Sequence, residues 1–139
     1  MKYLIAIVLL TMSSFSFASD WTVTNGVAST KEISSSGINA VMEVSNQNGA
    51  QLIFDSVSCT FTNERREFLD FRNLNVQMDD LEPVKILGQL YCKAPGKAMY
   101  EIEPSQLTMF LGMFKVGSTV TFGDVQFSAM GFTKALNQL

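Results

Sequence analysis

The chain has 139 residues, with 13 aspartates and glutamates against 10 lysines and arginines, and it contains no histidine. This acidic balance argues against a nucleic-acid partner, because nucleic-acid binding needs a basic face. The missing histidine and the absence of a Gly-x-Ser-x-Gly motif leave few general bases or nucleophiles, so we expect no enzyme activity, no catalytic residue and no cofactor.

The first 18 residues predict a secretory signal peptide. A positive start at Lys2 is followed by the apolar run Leu4–Thr11, and Ser16 and Ala18 supply the small residues of a cleavage site. The apolar run is too short to span a membrane. We therefore expect one domain over residues 19–139, without a transmembrane segment, in the periplasm of a Gram-negative bacterium or secreted from it.

Two cysteines in an exported chain predict one disulfide, between Cys59 and Cys92. The alternative is a pair of free thiols for metal or redox chemistry, but the spacing matches no CxxC motif. Both cysteines lie in apolar runs that predict strands, Val57–Phe61 and Ile86–Cys92. A bond closing a loop of this length contributes roughly 3–4 kcal/mol in the chain-entropy model.

Alternating apolar and polar residues recur along most of the chain and predict a mainly β fold, an antiparallel β-sandwich. In one hairpin, a loop over residues 47–49 is expected to pair Val44 with Leu52 and Met42 with Phe54. In the last hairpin, a two-residue turn at 123–124 is expected to pair the strand residues on either side. The predicted pairs there are Phe122 with Val125, Thr121 with Gln126, and Val120 with Phe127.

One longer helix is predicted at about 104–114, with Pro104 in its first turn. Its apolar residues recur at helical spacing and are expected to face the sheet. They are Leu107, Phe110, Leu111 and Phe114. Met109 and Met113 form a second row, which is either part of the core or an exposed patch that contacts a partner. A short terminal helix is expected to place Phe132, Ala135, Leu136 and Leu139 on the sheet.

The remaining candidate residues carry weaker signals. Glu101 and Glu103 lie two apart on a predicted strand, where they share one face and poorly match the paired carboxylates of a glycosidase. The acidic loop at 79–82 lacks the spacing of a calcium loop, so no metal site is predicted, although cation binding by Asp79, Asp80 and Glu82 stays open. Trp21, the only tryptophan, is expected to be a packing residue.

The tail resembles the closing strand and helix of the invasion-associated locus B family. The similar segment is Phe127–Leu136, with the sequence FSAMGFTKAL, and the helix, Gly117 and strand before it are similar as well. The resemblance implies a small exported bacterial β-sandwich linked to host-cell invasion, and it supplies no catalytic residues. The middle of the chain departs from the family in lacking clustered cysteines.

These observations together predict a non-catalytic exported protein that binds another protein or associates with the cell envelope. The alternative is an immunity or inhibitor protein that neutralises a toxin or a hydrolase in the periplasm. Small size, acidity and export fit both hypotheses equally well. The sequence leaves the partner and the oligomeric state open.

Overall fold

A computed structural model describes residues 20–57, 59 and 67–139, and for residues 67–70 it describes the backbone only. The signal peptide predicted at residues 1–18 lies outside the described residues. The described residues form nine strands, a 3₁₀ turn at Pro104–Gln106 and two α-helices. The strands are β1 Thr22–Thr24, β2 Val27–Ile33, β3 Asn39–Ser45, β4 Gly49–Asp55, β5 Glu67–Met78, β6 Val84–Ala94, β7 Lys97–Ile102, β8 Thr119–Phe122 and β9 Val125–Ser128. The helices are α1 Leu107–Val116 and α2 Phe132–Leu136.

All nine strands belong to one sheet, in the order β1-β2-β3-β4-β7-β6-β5-β8-β9. Each neighbouring pair is antiparallel. The prediction of a mainly β, antiparallel fold with one longer and one short terminal helix is confirmed. The two layers expected of a sandwich are formed by a single continuous sheet that curls over its own core.

The curl brings the first strands of the sheet close to the last. The indole N–H of Trp21 donates to the carbonyl oxygen of Ser128, the last residue of β9, at 2.8 Å. A second hydrogen bond joins the same two parts of the sheet. The hydroxyl of Ser36, between β2 and β3, donates to the carboxylate of Asp124, between β8 and β9, at 2.8 Å. Trp21 is buried and packs edge-on against Phe114 and Phe132, so its predicted packing role is confirmed.

Helix α1 packs one side on the sheet and contributes Phe110, Met113 and Phe114 to the core. Phe110 and Phe114 are fully buried, and Leu107 and Leu111 pack against the core while remaining partly exposed. The predicted helix and the direction of its apolar side are therefore confirmed. The terminal helix α2 buries Phe132 and Ala135 on the same core.

The two predicted hairpins differ in outcome. The pairs predicted at the 123–124 turn are all present. In the earlier hairpin, however, Met42 pairs with Leu52 and Val44 with Ala50, so the predicted register is wrong. The loop spans residues 46–48, one position before the predicted loop. This shift moves the pairing by two residues, which keeps the same side chains on the core face, so apolar alternation cannot detect it.

The disulfide between Cys59 and Cys92 is present, as predicted. It lies in a small second cluster with Ala98, against which Phe54 and Leu90 pack. The prediction of a strand at Val57–Phe61 is wrong at Val57 and Cys59, because neither residue belongs to a strand. Residues 58, 60 and 61 lie outside the described residues. β4 ends at Asp55, and a backbone hydrogen bond joins Cys59 to Gly96 in the turn between β6 and β7.

Candidate functional site

Helix α1 is apolar on nearly its whole circumference. Its ten residues have the sequence LTMFLGMFKV, in which only Thr108 and Lys115 are polar or charged. A helix on a protein surface normally turns a broad polar face to water, and an apolar circumference is typical of a helix buried on all sides. Here one side of α1 packs on the core and the other faces solvent. The exposed side is therefore a candidate interaction surface.

The structure separates the two methionines that the sequence placed in one row. Met113 is 9% exposed and belongs to the core, whereas Met109 is 48% exposed. At about 100° per residue, Met113 is rotated about 40° from Met109 toward the buried Phe110. This rotation places Met113 at the edge of the core and leaves Met109 outside it. Neither alternative drawn from the sequence holds for both methionines, and Met113 is not available as a partner contact.

A different residue continues the exposed row. Val116 is 80% exposed and lies seven positions after Met109, which corresponds to a rotation of only about 20°. Gly112 lies between them on the same side, and a methyl group added there would meet no atom within 4 Å. Met109, Gly112 and Val116 thus form a continuous apolar surface without a projecting side chain at its centre. We call these three residues the α1 stripe.

An apolar cleft of about 380 Å³ lies on the opposite flank of α1. One wall consists of Leu107 and Leu111 from the helix, and the other consists of Leu136 and Leu139 from the end of the chain. Val44 and Ile102 contribute from the sheet, and residues 45–49 line the cleft from the loop between β3 and β4. We call this feature the leucine cleft.

The sequence did not reveal either surface in full. The helix predicted at about 104–114 does not include Val116, although the spacing of seven residues between Val116 and Met109 is a usable signal. The leucine cleft depends on the tail packing beside α1 and beside the loop after β3. No local pattern specifies which of these distant segments become neighbours.

The carboxylates at 101 and 103 do not form a catalytic pair across a cleft. Glu101 lies on β7 opposite Gln51 of β4 and Gln89 of β6. Glu103 follows the strand, and its carboxylate accepts a hydrogen bond from the side-chain amide of Gln89 at 3.3 Å. Both glutamates thus neighbour glutamine side chains of the sheet, which agrees with the poor match to a glycosidase pair.

In the acidic loop after β5, Asp79 has a structural role. Its carboxylate accepts hydrogen bonds from the backbone N–H groups of Ser118 and Thr119, both at 2.9 Å, and so joins the end of β5 to the start of β8. These N–H groups, Thr119 first, hold the pKa of the Asp79 carboxyl below its usual range. Among the side chains that the structure describes, those of residues 20–57, 59 and 71–139, no three potential metal-ligating groups are placed together as a metal site requires.

Comparisons with protein-family models, curated proteins and solved structures give no match for this chain. The resemblance of the tail to the invasion-associated locus B family therefore stays a prediction. None of the helices among the described residues is both long and apolar enough to cross a membrane. The candidate surfaces must accordingly be interpreted from their own chemistry.

Proposed function

We propose that this chain is a non-catalytic exported protein that binds another protein through the α1 stripe. The observation that carries the proposal is the exposure of Met109 and Val116 on one side of a helix whose core-facing side is also apolar. Methionine adapts to varied apolar surfaces because its side chain is flexible and polarisable. Gly112 between the two residues allows a partner backbone to approach closely.

A protein partner fits the α1 stripe better than a membrane surface does. Helices that lie on anionic membranes carry several lysines or arginines beside their apolar face. α1 has a single cation, Lys115, and the whole chain has a net charge of −3. Electrostatic attraction to an anionic lipid surface is therefore absent, and an apolar patch on a protein supplies the complementary contact.

Export into an oxidising compartment is supported by the disulfide. Structural disulfides are rare in the reducing cytosol and common in the periplasm and outside the cell. The pair Cys59 and Cys92 is buried and bonded. Together with the predicted signal peptide, this bond supports a periplasmic or secreted location.

The proposal is tested by replacing Met109 and Val116 together with glutamine and using the purified variant as bait in an envelope extract of the source organism. We expect the melting temperature to stay close to that of the wild type, because both side chains already face solvent. A protein recovered by the wild type should be lost by the double variant and kept by a Thr108→Gln control on the polar side of the same helix. Retention of that protein by a folded double variant would contradict the proposal. If the recovered protein is a toxin or hydrolase that the chain inhibits, the immunity alternative is correct.

A further inference from the structure

We propose that the leucine cleft binds a small neutral molecule with a hydrocarbon body and a single hydrogen-bonding head. This inference goes beyond the proposed protein contact, because it concerns another side of α1. Leu111 is rotated by about 160° from Met109 around the helix axis. Changes in the cleft can therefore be tested while the α1 stripe is left intact.

The size and shape of the leucine cleft suit a small molecule. Its volume of about 380 Å³ falls at the lower end of the range of roughly 300–1,000 Å³ that is usual for small-ligand sites. The sheet, the helix and the tail enclose it from different sides. Such concave sites with a few polar groups at one edge are the usual architecture of ligand pockets.

The lining favours an uncharged hydrocarbon. Four leucines form its two walls, and the described residues that line it include no lysine or arginine. An anionic head would therefore have no cation to pair with. Transferring an unpaired charge from water into an apolar site costs far more than transferring a neutral group.

A cationic head is disfavoured by the position of the one acidic residue in the lining. Glu101 alternates along β7 with Tyr100 and Ile102, which are both buried in the core. Side chains of adjacent strand residues project to opposite faces, so the Glu101 carboxylate projects away from the core face on which the cleft is built. Because Glu101 still belongs to the lining, octylammonium is the probe that tests this point.

Hydrogen bonding at the cleft edge comes from side-chain amides. Asn46, Gln47 and Asn48 form the loop at this edge, and all three are exposed. An amide offers both a donor and an acceptor, so it matches a hydroxyl or an amide head equally well. The chemical class that satisfies the lining is thus a neutral amphipathic molecule such as a fatty alcohol or a fatty amide.

The test uses three probes with the same chain and different heads: octanol, octanoate and octylammonium. Each competes for the purified protein with the neutral dye N-phenylnaphthylamine, whose fluorescence rises in an apolar site. We expect octanol to displace the dye at a concentration roughly tenfold or more below that of either charged probe, equivalent to about 1.4 kcal/mol. Failure of octanol to displace the dye, or equal displacement by a charged probe, would overturn the inference.

Two further measurements locate the probe without depending on one variant. In methyl-labelled wild-type protein, octanol should shift the methyl resonances of Leu107, Leu111, Leu136 and Leu139 and leave those of the exposed Leu81 unchanged. Leu111→Gln should weaken octanol binding by roughly tenfold, whereas Met109→Gln on the α1 stripe should not change it. Octanol binding that shifts other residues, or that survives in a folded Leu111→Gln variant, would place the site elsewhere. Neither result bears on the protein contact, which the stripe variants test separately.

Discussion

The ring of Tyr100 occupies the space that a side chain at Gly88 would need. A methyl group built on Gly88 would lie 2.5 Å from the Tyr100 Cζ atom and 2.5 Å from the carbonyl oxygen of Glu101. The phenol extends across β6, and its oxygen lies 2.6 Å from the carbonyl oxygen of Ile86 and 2.7 Å from that of Arg72. One tyrosine of β7 thus connects to both β6 and β5, and only glycine leaves room for it.

Replacing Gly88 with alanine should destabilise the protein by about 1–3 kcal/mol or more, as overpacking does. The Glu101 carbonyl belongs to the backbone and cannot move aside without disturbing the pairing of β6 with β7. Urea unfolding measures the loss. The matched control is Gly112→Ala, where the added methyl group meets nothing and alanine favours the helix by up to about 1 kcal/mol. A Gly88→Ala protein as stable as the wild type would show that the ring can shift.

Tyr100 should make the protein sensitive to alkaline conditions. Burial raises the pKa of Tyr100 from 10.0 to about 12. Because the folded-state pKa is raised, the contribution of the neutral phenol is complete below pH 10 and is lost as the pH rises through 12. We expect the wild type to lose stability between these values, and Tyr100→Phe to lose less over the same interval.

Tyr100→Phe should also be less stable at neutral pH, by about 1–3 kcal/mol, because two carbonyl oxygens lose the hydroxyl between them. Urea midpoints at neutral and alkaline pH separate the two effects. Identical alkaline declines in the wild type and in Tyr100→Phe would show that Tyr100 does not account for the pH dependence.

Removing the disulfide should cost about 3–4 kcal/mol, since it closes a loop with a sequence separation of 33. The Cys59→Ala, Cys92→Ala double variant and the reduced wild type should unfold at similar urea concentrations. The oxidised protein should show no reaction with a thiol reagent before denaturation and reduction. Labelling of both cysteines in the native, unreduced protein would contradict the bond.

The two methionines of α1 should respond differently to truncation. Met113→Ala should cost about 2–5 kcal/mol, as for other buried large residues, and Phe110→Ala about 3–5 kcal/mol. Met109→Ala, on the solvent side, should change the stability by no more than about 0.5 kcal/mol. Thermal and urea unfolding of the three variants would test this order. Equal losses for the two methionines would mean that α1 is rotated from its described position.

The sequence alone determined the features that depend on neighbouring residues. The hairpin at Gly123 has the predicted register because a two-residue turn leaves the flanking strands only one way to pair. Helix α1 was predictable because Phe110 and Phe114 repeat at helical spacing. The pairing of Cys59 with Cys92 followed from their number and from the predicted export.

The tertiary structure decided everything that depends on which distant segments meet. β4 pairs with β7 across more than forty residues, and no local pattern in either strand specifies that partner. Met42 pairs with Leu52 instead of the predicted Phe54. This shift of two residues leaves every apolar side chain on its face, so only the packing around the loop selects the register. The burial of Met109 and Met113 is likewise decided by tertiary packing, because the two residues differ by only about 40° of rotation on a helix that is apolar nearly all round. Periodicity shows that such a helix is apolar, but only the position of the sheet decides which methionine is buried.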